Sequence, residues 1–134
     1  MKPMPRITEF DRPFWEACNE EKLLLQRCRA ADCGRFIFYP RVCCPYCGRG
    51  NPAWAEVSGR GTLRSYTVLH HAQHQSFDAE LPYCFIAVDL AEGPMMFSRL
   101  EAVPAPQNAV LGSAVEAYFV VHTPDQKLPF FRLV

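Results

Sequence analysis

The stretch QRCRAADCGRFIFYPRVCCPYCG, residues 26–48, holds five of the chain's seven cysteines. Four of them form two pairs, Cys28 with Cys33 and Cys44 with Cys47, and each pair ends in a Cys-Gly step. Thiolates at such spacings can grip one tetrahedral ion, and the glycine permits the tight turn after the second cysteine. Because four thiolates leave no open coordination position, the stretch predicts one structural Zn²⁺ that holds a small ribbon together.

Alternatives remain for the ligands and for the bound ion. Cys43 adjoins Cys44 and could replace it, although Cys44 has the better spacing to Cys47. The thiols could be ordinary buried residues, but core cysteines do not come as two pairs that are each closed by glycine. Iron accepts the same ligands. Zinc is the interpretation that the spacing favours.

Composition bounds the kind of protein. The 134 residues fit one compact domain with a small appendage. Lys and Arg number 14, as do Asp and Glu, so net charge gives no reason to propose a nucleic-acid partner. No segment approaches the run of about 20 apolar residues that a membrane helix needs, and the first residues are charged where a signal peptide is apolar. We therefore expect a cytoplasmic protein, in which cysteines favour metal binding over disulfides.

The segment before the cysteines predicts a helix over residues 10–25. Asp11 is a candidate N-cap, and Pro13 lies inside the first turn. An imperfect apolar stripe supports the helix, and it consists of Phe14, Trp15, Cys18, Leu23 and Leu25.

From residue 54 onward the pattern changes to β. Runs rich in Val, Thr, Tyr and Phe predict about five strands, with Glu92-Gly93 as a hairpin turn and PAPQNAVLG as a proline-bearing connection. Gly59-Arg60-Gly61 is interpreted as a bulge or bend that enters the first long strand. Few helices and five short strands favour a small closed barrel. We predict a mainly β chain with an N-terminal helical segment over residues 1–25, a zinc ribbon over 26–53 and a barrel over 54–134.

The sequence offers little from which to build an active site. It lacks a P-loop and the G-x-G-x-x-G, G-x-S-x-G and H-E-x-x-H motifs. His70, His71 and His74 have no carboxylate among them, so we interpret LHHAQHQSF as a solvent-facing or partner-facing loop in preference to a metal site. Cys18 and Cys84 are interpreted as small core residues. We expect no catalytic residues and no self-sufficient enzyme.

The order of the motifs along the chain matches a known family. PFWEA, LLLQRC and YPRVCCPYCG are followed by VSGRGTLRSYTVLH, PYCFIAVDL and a terminal LPFF. In this order the chain resembles the family long called domain of unknown function thirty-five, also described as acyl-CoA-associated OB-fold proteins. The resemblance covers nearly the whole chain. It is most specific at the C-x-x-C-G knuckle of residues 44–48 and at the SGRGTLRSYT that follows it. It implies an N-terminal helical segment, a rubredoxin-like zinc ribbon and a five-stranded OB-fold barrel.

One feature departs from that family. Its members usually pair the first two cysteines as C-x-x-C, whereas four residues separate Cys28 from Cys33 here. Some members have lost the metal. Because all four cysteines remain in this sequence, the departure concerns the geometry of the first knuckle more than the presence of zinc.

The resemblance also implies a function. Known members are small partners of thiolase-superfamily proteins in complexes that join or cleave carbon–carbon bonds of acyl-CoA substrates. The thiolase-like chain carries the catalytic cysteine, while the small chain docks, stabilises and helps to form the CoA channel. We therefore expect a non-catalytic accessory subunit of a thiolase, aldolase or acyltransferase complex. It would carry structural Zn²⁺, and a CoA thioester would bind at a site shared with the partner.

The partner and the CoA tail are expected at the start of the first long strand and at the loop after it. Loops held by a rigid scaffold often carry recognition residues, and HHAQHQSFDAELP mixes apolar, amide and imidazole groups as interfaces do. Arginines there would pair with CoA phosphates. The residues predicted to face the partner or CoA are Arg60, Arg64, Tyr66, His70, His71 and Phe77. The alternative is that Tyr66 and Phe77 are core residues, the arginines are solvated and the loop is only a connection.

Two other functions stay open as alternatives. A single-stranded nucleic-acid-binding module would stack bases on the aromatic residues, which make up 13% of the chain. The balanced charge counts against the phosphate contacts that this function needs. The third hypothesis is a zinc enzyme that works through the histidine loop, and it predicts a second bound ion.

Overall fold

The computed structural model describes residues 1–101 and 110–134, and the chain is mainly β. The first part comprises helix α1 (Arg12–Asn19) and strands β1 (Leu23–Arg27), β2 (Phe36–Ile37) and β3 (Ala53–Val57). The second part comprises β4 (Arg60–Leu69), a 3-10 helix (Gln75–Glu80), β5 (Tyr83–Leu90), β6 (Met95–Leu100), β7 (Ala114–Thr123) and β8 (Gln126–Leu133). The connection predicted in PAPQNAVLG, residues 104–112, lies largely outside the described residues.

Strands β4 to β8 close into a barrel in the order β4-β5-β6-β8-β7, and β7 pairs back onto β4. All neighbours are antiparallel except β6 and β8, which run parallel. This Greek-key order confirms the five-stranded OB-fold barrel that the sequence predicted. The hairpin at Glu92-Gly93 is also confirmed, because Leu90 N donates to Pro94 O at 2.9 Å and Gly93 N donates to Leu90 O at 2.9 Å.

The barrel core follows from the alternation of side chains along each strand. In β5, Cys84, Ile86, Val88 and Leu90 are buried and meet apolar side chains of the other strands, of which Phe131 is fully enclosed. Helix α1 contributes the buried Phe14 and Cys18 to the same core. The prediction that Cys18 and Cys84 are core residues is confirmed. Burial raises the pKa of Cys18 to about 12 and also raises the pKa of Cys84, so both thiols stay protonated.

The entry into β4 requires glycine at one point of close approach. A Cβ on Gly61 would lie 2.5 Å from the carbonyl oxygen of Asp89 on β5. The bend predicted here is found at Gly59, whose φ of +76° is in the left-handed region. The irregularity in strand pairing comes later, between Leu63 and Ser65.

The helix prediction over residues 10–25 was wrong at its C-terminal end. The helix ends at Asn19, and Leu23–Arg27 form strand β1. Glu21 adopts a left-handed φ of 58°, and Lys22 N donates back to Ala17 O at 2.9 Å. This is the Schellman arrangement that closes helices, here with glutamate where glycine is usual. The three leucines after it alternate in burial as a strand does.

Strand β1 is the centre of a three-stranded antiparallel sheet in the order β2-β1-β3. Polar side chains fasten helix α1 to the barrel at the turn between β7 and β8. Asn19 Oδ1 accepts from Lys127 N at 2.8 Å, and the buried Gln126 Nε2 donates to Trp15 O at 3.0 Å. No helix in the described part of the chain has the length and apolar character needed to cross a bilayer.

Candidate functional site

The structure brings four cysteine sulfurs into one cluster. The Sγ atoms of Cys28, Cys33, Cys44 and Cys47 all lie within 4.8 Å of one another. Cys28 Sγ lies 3.6 Å from Cys47 Sγ, and Cys33 Sγ lies 3.8 Å from Cys44 Sγ. Sulfurs around tetrahedral zinc, with Zn–S bonds of about 2.3 Å, are separated by about 3.8 Å. The donor set and its spacing therefore fit a four-thiolate zinc site.

Backbone turns hold both pairs of thiols. Cys44 N donates to Arg49 O at 2.8 Å, and Cys28 N donates to Arg35 O at 2.9 Å. Gly34 and Gly48, each directly after the second cysteine of its pair, have φ values of +64° and +80°. Glycine is needed there because L side chains rarely adopt these angles.

The first pair tolerates its longer spacing because the extra residues form a turn. Cys33 N donates to Ala30 O at 3.0 Å, so the chain folds back before it reaches the second thiol. Both cysteines of the pair still reach the cluster.

Cys43 and Cys44 have different environments. The side chain of Cys44 is buried and its sulfur belongs to the cluster. Cys43 is exposed and forms an isolated antiparallel bridge with Gly50. Consecutive residues in an extended segment face opposite ways, so only one of the two can face the other thiols.

The electrostatics of the cluster favour a bound cation. Burial of the Cys44 thiol opposes its ionisation. The backbone N–H groups of Cys47 and Tyr46, together with the thiols of Cys33 and Cys47, outweigh this and lower the pKa of Cys44 to about 7. For Cys47, the N–H group of Arg49 favours the thiolate, but desolvation and the neighbouring thiols raise its pKa to about 11. One thiolate thus forms easily and suppresses the others. A divalent ion would remove that penalty for all four.

Side chains outside the cluster tie the loops of the ribbon together. Arg49, in the second knuckle, donates two hydrogen bonds to the carboxylate of Asp32, in the first, one of them at 3.1 Å. These bonds lower the pKa of Asp32. Gln26 on β1 holds the segment before the second knuckle, because its Nε2 donates to Arg41 O at 3.0 Å and its Oε1 accepts from Arg41 N at 2.6 Å.

The histidine loop forms no comparable cluster. Within residues 1–101 and 110–134, the four cysteines are the only group of three or more His, Cys, Asp or Glu placed to hold an ion. His70, His71 and His74 are exposed. His74 Nδ1 instead lies 2.6 Å from Ser76 Oγ and accepts from Ser76 N, which starts the 3-10 helix.

The six residues predicted to face the partner or CoA are spread along the barrel. Arg60 begins β4 and His70 follows its end, on the order of 30 Å away along an extended strand. Arg64 and Tyr66 line one shallow depression on the outside of the barrel, and Arg64 Nη1 donates to Asp89 Oδ1 at 3.1 Å. His71 lies beside His70 in the exposed loop.

Phe77 lies apart from the other five. It is half-buried, and its ring stacks on His122 at 6.2 Å with Lys2 Nζ 5.6 Å from its centroid. That the six predicted residues contact the partner or CoA stays a prediction.

The sequence analysis named only Tyr66 of an aromatic face on the barrel. Phe85 on β5 and Phe97 on β6 stack at 5.5 Å with their planes 16° apart, and their side chains are 37% and 51% exposed. Met95 and Tyr66 lie beside them and are also exposed. We call these four residues, Tyr66, Phe85, Met95 and Phe97, the aromatic face.

A signal for this face exists in the sequence. In YCFIAVDL the buried set is Cys84, Ile86, Val88 and Leu90, so Phe85 falls at an outward position where a polar residue is usual. In MMFSRL the same phase puts Met95 and Phe97 outward. Large apolar residues on the wrong phase of a strand indicate an exposed apolar surface.

The chain was compared with known proteins. Residues 15–53 match the family "ChsH2, rubredoxin-like zinc ribbon domain", and residues 54–127 match "ChsH2, C-terminal OB-fold domain". A "DUF35 domain-containing scaffold protein" of Pyrococcus furiosus is 30% identical over 115 residues, which cover 86% of this chain and 78% of that protein. The chain belongs to the DUF35 family. The resemblance noted in the sequence is thereby confirmed.

Other relatives of this DUF35 chain are named for enzymes and complexes. A solved structure described as "Ltp2-ChsH2(DUF35) aldolase" contains a chain that is 32% identical, with a TM-score of 0.85 and coverage of 97% of this chain and 98% of that one. A "Probable enoyl-CoA hydratase alpha subunit" of Thermomonospora curvata is 35% identical over 98% of this chain, but the chain spans only 40% of that relative's length.

A third structure shares only the fold. A DUF35 protein of unknown function from Sulfolobus solfataricus has a TM-score of 0.61 and 13% identity, with coverage of 94% of this chain and 86% of that one.

Proposed function

We propose that the chain is a non-catalytic accessory subunit of a complex that acts on acyl-CoA or acyl substrates, and that its partner is a thiolase-superfamily protein. The observation that carries the proposal is the aromatic face. A small barrel with its own closed core has no folding need for a stacked, solvent-exposed pair of phenylalanines. Exposed apolar patches of this kind mark interaction sites, and aromatic residues are enriched in protein interfaces.

The names of the relatives support the class of the complex. A chain similar along nearly its whole length occurs in a structure described as an aldolase, one relative is called a scaffold protein, and another an enoyl-CoA hydratase subunit. A role as scaffold or subunit fits this chain, because its cysteine cluster is suited to holding a structural metal ion and not to catalysis. The thiolase superfamily is the finer part of the proposal and rests on the resemblance described in the sequence analysis.

Some of the residues predicted from the sequence would contact CoA in this complex. Arg64 lies beside Tyr66 at the edge of the aromatic face. Its ion pair with Asp89 is exposed on both sides and contributes about 0–1 kcal/mol, so the guanidinium can exchange that carboxylate for a phosphate. The acyl-CoA would then run along the boundary between this face and the partner, with Arg60, His70 and His71 further along the same strand and loop.

The four-thiolate cluster serves the proposal as a structural site. We infer that one Zn²⁺ is bound by Cys28, Cys33, Cys44 and Cys47. This ion would neither polarise a substrate nor activate a water molecule, because the four sulfurs fill its coordination sphere. Its contribution is to order residues 28–52 beside the barrel.

The test of docking is the affinity for a thiolase-superfamily protein, measured by isothermal titration. Phe85→Ala and Phe97→Ala, alone and together, should each weaken binding by at least tenfold, since buried aromatic anchors contribute about 2–4 kcal/mol. Phe10→Ala is the matched control, because Phe10 is exposed to 59% but lies outside the aromatic face. Unchanged affinity in the double variant would remove this face from the interface.

A nucleic-acid function has one observation in its favour. OB-folds bind single strands on the face of their second and third strands, which are β5 and β6 here, and stacked aromatic side chains suit bases. The balanced charge of the chain, 14 Lys and Arg against 14 Asp and Glu, counts against the many phosphate contacts that this function needs. A gel-shift titration with single-stranded oligonucleotides distinguishes the two functions, and we expect no salt-dependent shift at micromolar protein.

A further inference from the structure

The barrel is held together least where strands β6 and β8 meet. These strands run parallel, and of the six residues of β6 only Leu100 pairs with β8 in the described part of the chain, opposite Phe131. Glu101 N donates to Phe131 O at 2.6 Å just beyond that pair. Before Leu100 the two strands separate, and a cavity of about 420 Å³ lies beside them, with Arg99 on its β6 side and Leu128 on its β8 side.

The pairing of β6 with β5 determines which backbone groups of β6 face this gap. Leu90 N donates to Pro94 O at 2.9 Å, so the first pair after the hairpin turn is hydrogen-bonded. Hydrogen-bonded and non-hydrogen-bonded pairs alternate along an antiparallel ladder. The residues of β6 whose backbone bonds to β5 are therefore Met96, Ser98 and Leu100. The residues whose N–H and C=O groups point away from β5 are Met95, Phe97 and Arg99.

The edge of β8 that faces the gap is closed by other groups. Lys127 N donates to Asn19 Oδ1 at 2.8 Å, and Lys127 O accepts from Gln126 Nε2 at 2.8 Å. Pro129 has no N–H group, and its O accepts from Ser98 Oγ at 2.7 Å. A strand edge whose polar groups are occupied in this way does not pair with another strand.

The edge of β6 has no comparable protection. Among the described residues, neither a loop backbone nor a side chain forms a hydrogen bond with the N–H or C=O groups of Met95 and Phe97, and β8 does not pair with them. Both residues are exposed, and neither is a proline or a charged residue of the kind that blocks an edge. We call the backbone of Met95 and Phe97 the free edge.

The free edge adjoins the surface that the proposed partner covers. Met95 and Phe97 also belong to the aromatic face, so a protein that buries their side chains lies beside their backbone groups as well. A buried N–H or C=O group that loses water without gaining a new partner costs about 1–3 kcal/mol. The backbone groups of the free edge repeat every second residue, or about 6.6 Å, which is the spacing at which another strand presents its own.

We propose that the partner adds an extended segment to the free edge, as one more strand whose backbone pairs with Met95 and Phe97. The inference rests on the proposed function and specifies how that partner docks. Main-chain hydrogen bonds would supply affinity, and alternate side chains of the segment would supply specificity. A large apolar side chain suits the position nearest the cavity, because rings of Phe14, Trp15 and Phe38 form part of its wall. The residues that pair with the free edge cannot be proline.

The experiment compares Met95→Ala with Met95→Pro in isothermal titrations of the zinc-loaded, full-length chain with a thiolase-superfamily protein. Both variants lose the Met95 side chain, but only proline also removes the N–H group from the free edge. That N–H group does not bond to β5, so the barrel should stay folded, which circular dichroism checks. Met95→Pro should bind at least tenfold more weakly than Met95→Ala.

The outcomes separate the inference from the proposed function. Equal affinity of the two variants would overturn strand addition and leave docking through the aromatic face intact. If the unsubstituted chain does not bind the partner at all, the proposed function fails and the inference fails with it.

Hydrogen exchange resolved to single amides tests the same point without a substitution. In the free chain the Phe97 amide should exchange quickly, whereas the Met96 and Ser98 amides, which bond to β5, should exchange slowly. Saturation with the partner should slow the exchange of Phe97 at least tenfold, with Met96 and Ser98 as internal controls. Slow exchange of Phe97 in the free chain would show that its edge is already paired, and unchanged exchange in the complex would show that no strand is added. Either result would overturn the proposal.

Discussion

The ribbon and the barrel are stabilised in different ways. Fourteen buried side chains, contributed by α1, β1, β3 and the barrel strands, form one continuous core, whereas the loops of the ribbon have only Cys28, Ile37 and Cys44. Two of those three are predicted metal ligands. A fold of this size can bury enough apolar surface to stabilise one core but not a second. The lesson of the comparison is that the barrel shares a hydrophobic core with α1, β1 and β3, while the loops of the ribbon would depend on ligand bonds in place of hydrophobic burial.

The largest effect is expected from loss of a thiolate. Cys47→Ser should leave residues 28–52 poorly ordered and the barrel folded. The reason is that a structural zinc site contributes about 10 kcal/mol or more to the stability of a small module. Hydrogen exchange should show lost protection in the ribbon loops and unchanged protection in β4 to β8. Loss of protection spread evenly across the barrel would contradict the division between the two regions.

A core truncation should have the opposite distribution. Phe131→Ala removes a fully buried ring from β8 and should lower the free energy of unfolding by about 3–5 kcal/mol. Denaturant melts followed by fluorescence measure this loss. Below the unfolding transition the variant should still bind one zinc per chain, and a variant that has lost zinc while its barrel is native would show that the two regions are more strongly coupled than we propose.

The smallest effect is expected at the exposed neighbour of the cluster. Cys43→Ser should leave the zinc content at one per chain, since Cys43 faces away from the other thiols. Cys44→Ser, the matched variant one residue later, should release the metal. Elemental analysis of both proteins checks the pair, and the reverse pattern would assign the fourth ligand to Cys43.

The same division explains how far the sequence predicted the molecule. The thiol cluster was predictable because its four ligands follow local spacing rules and glycine marks both turns. The five barrel strands were predictable because buried residues alternate, as in Cys84, Ile86 and Val88 of β5. The predicted domain divisions after residues 25 and 53, like the cytoplasmic location, stay predictions.

Other features depend on tertiary structure and could not be predicted. The helix end at Asn19 was missed because its closing residue, Glu21, takes a left-handed angle that glutamate rarely adopts. The stacking of Phe85 on Phe97 depends on the register between β5 and β6. The cavity needs Trp15, Phe38 and Arg99 to meet, and no local rule brings together residues so far apart in sequence.

The central claim, that the chain supports catalysis without performing it, is tested most directly by turnover of an acyl-CoA substrate in a reconstituted system. The assay compares the chain alone, its thiolase-superfamily partner alone, and the two together at equal concentration. We predict no turnover by the chain alone, and a rate for the mixture at least tenfold above that of the partner, lost in the Phe85→Ala/Phe97→Ala variant and kept in Phe10→Ala. Turnover by the zinc-loaded chain on its own would contradict the account.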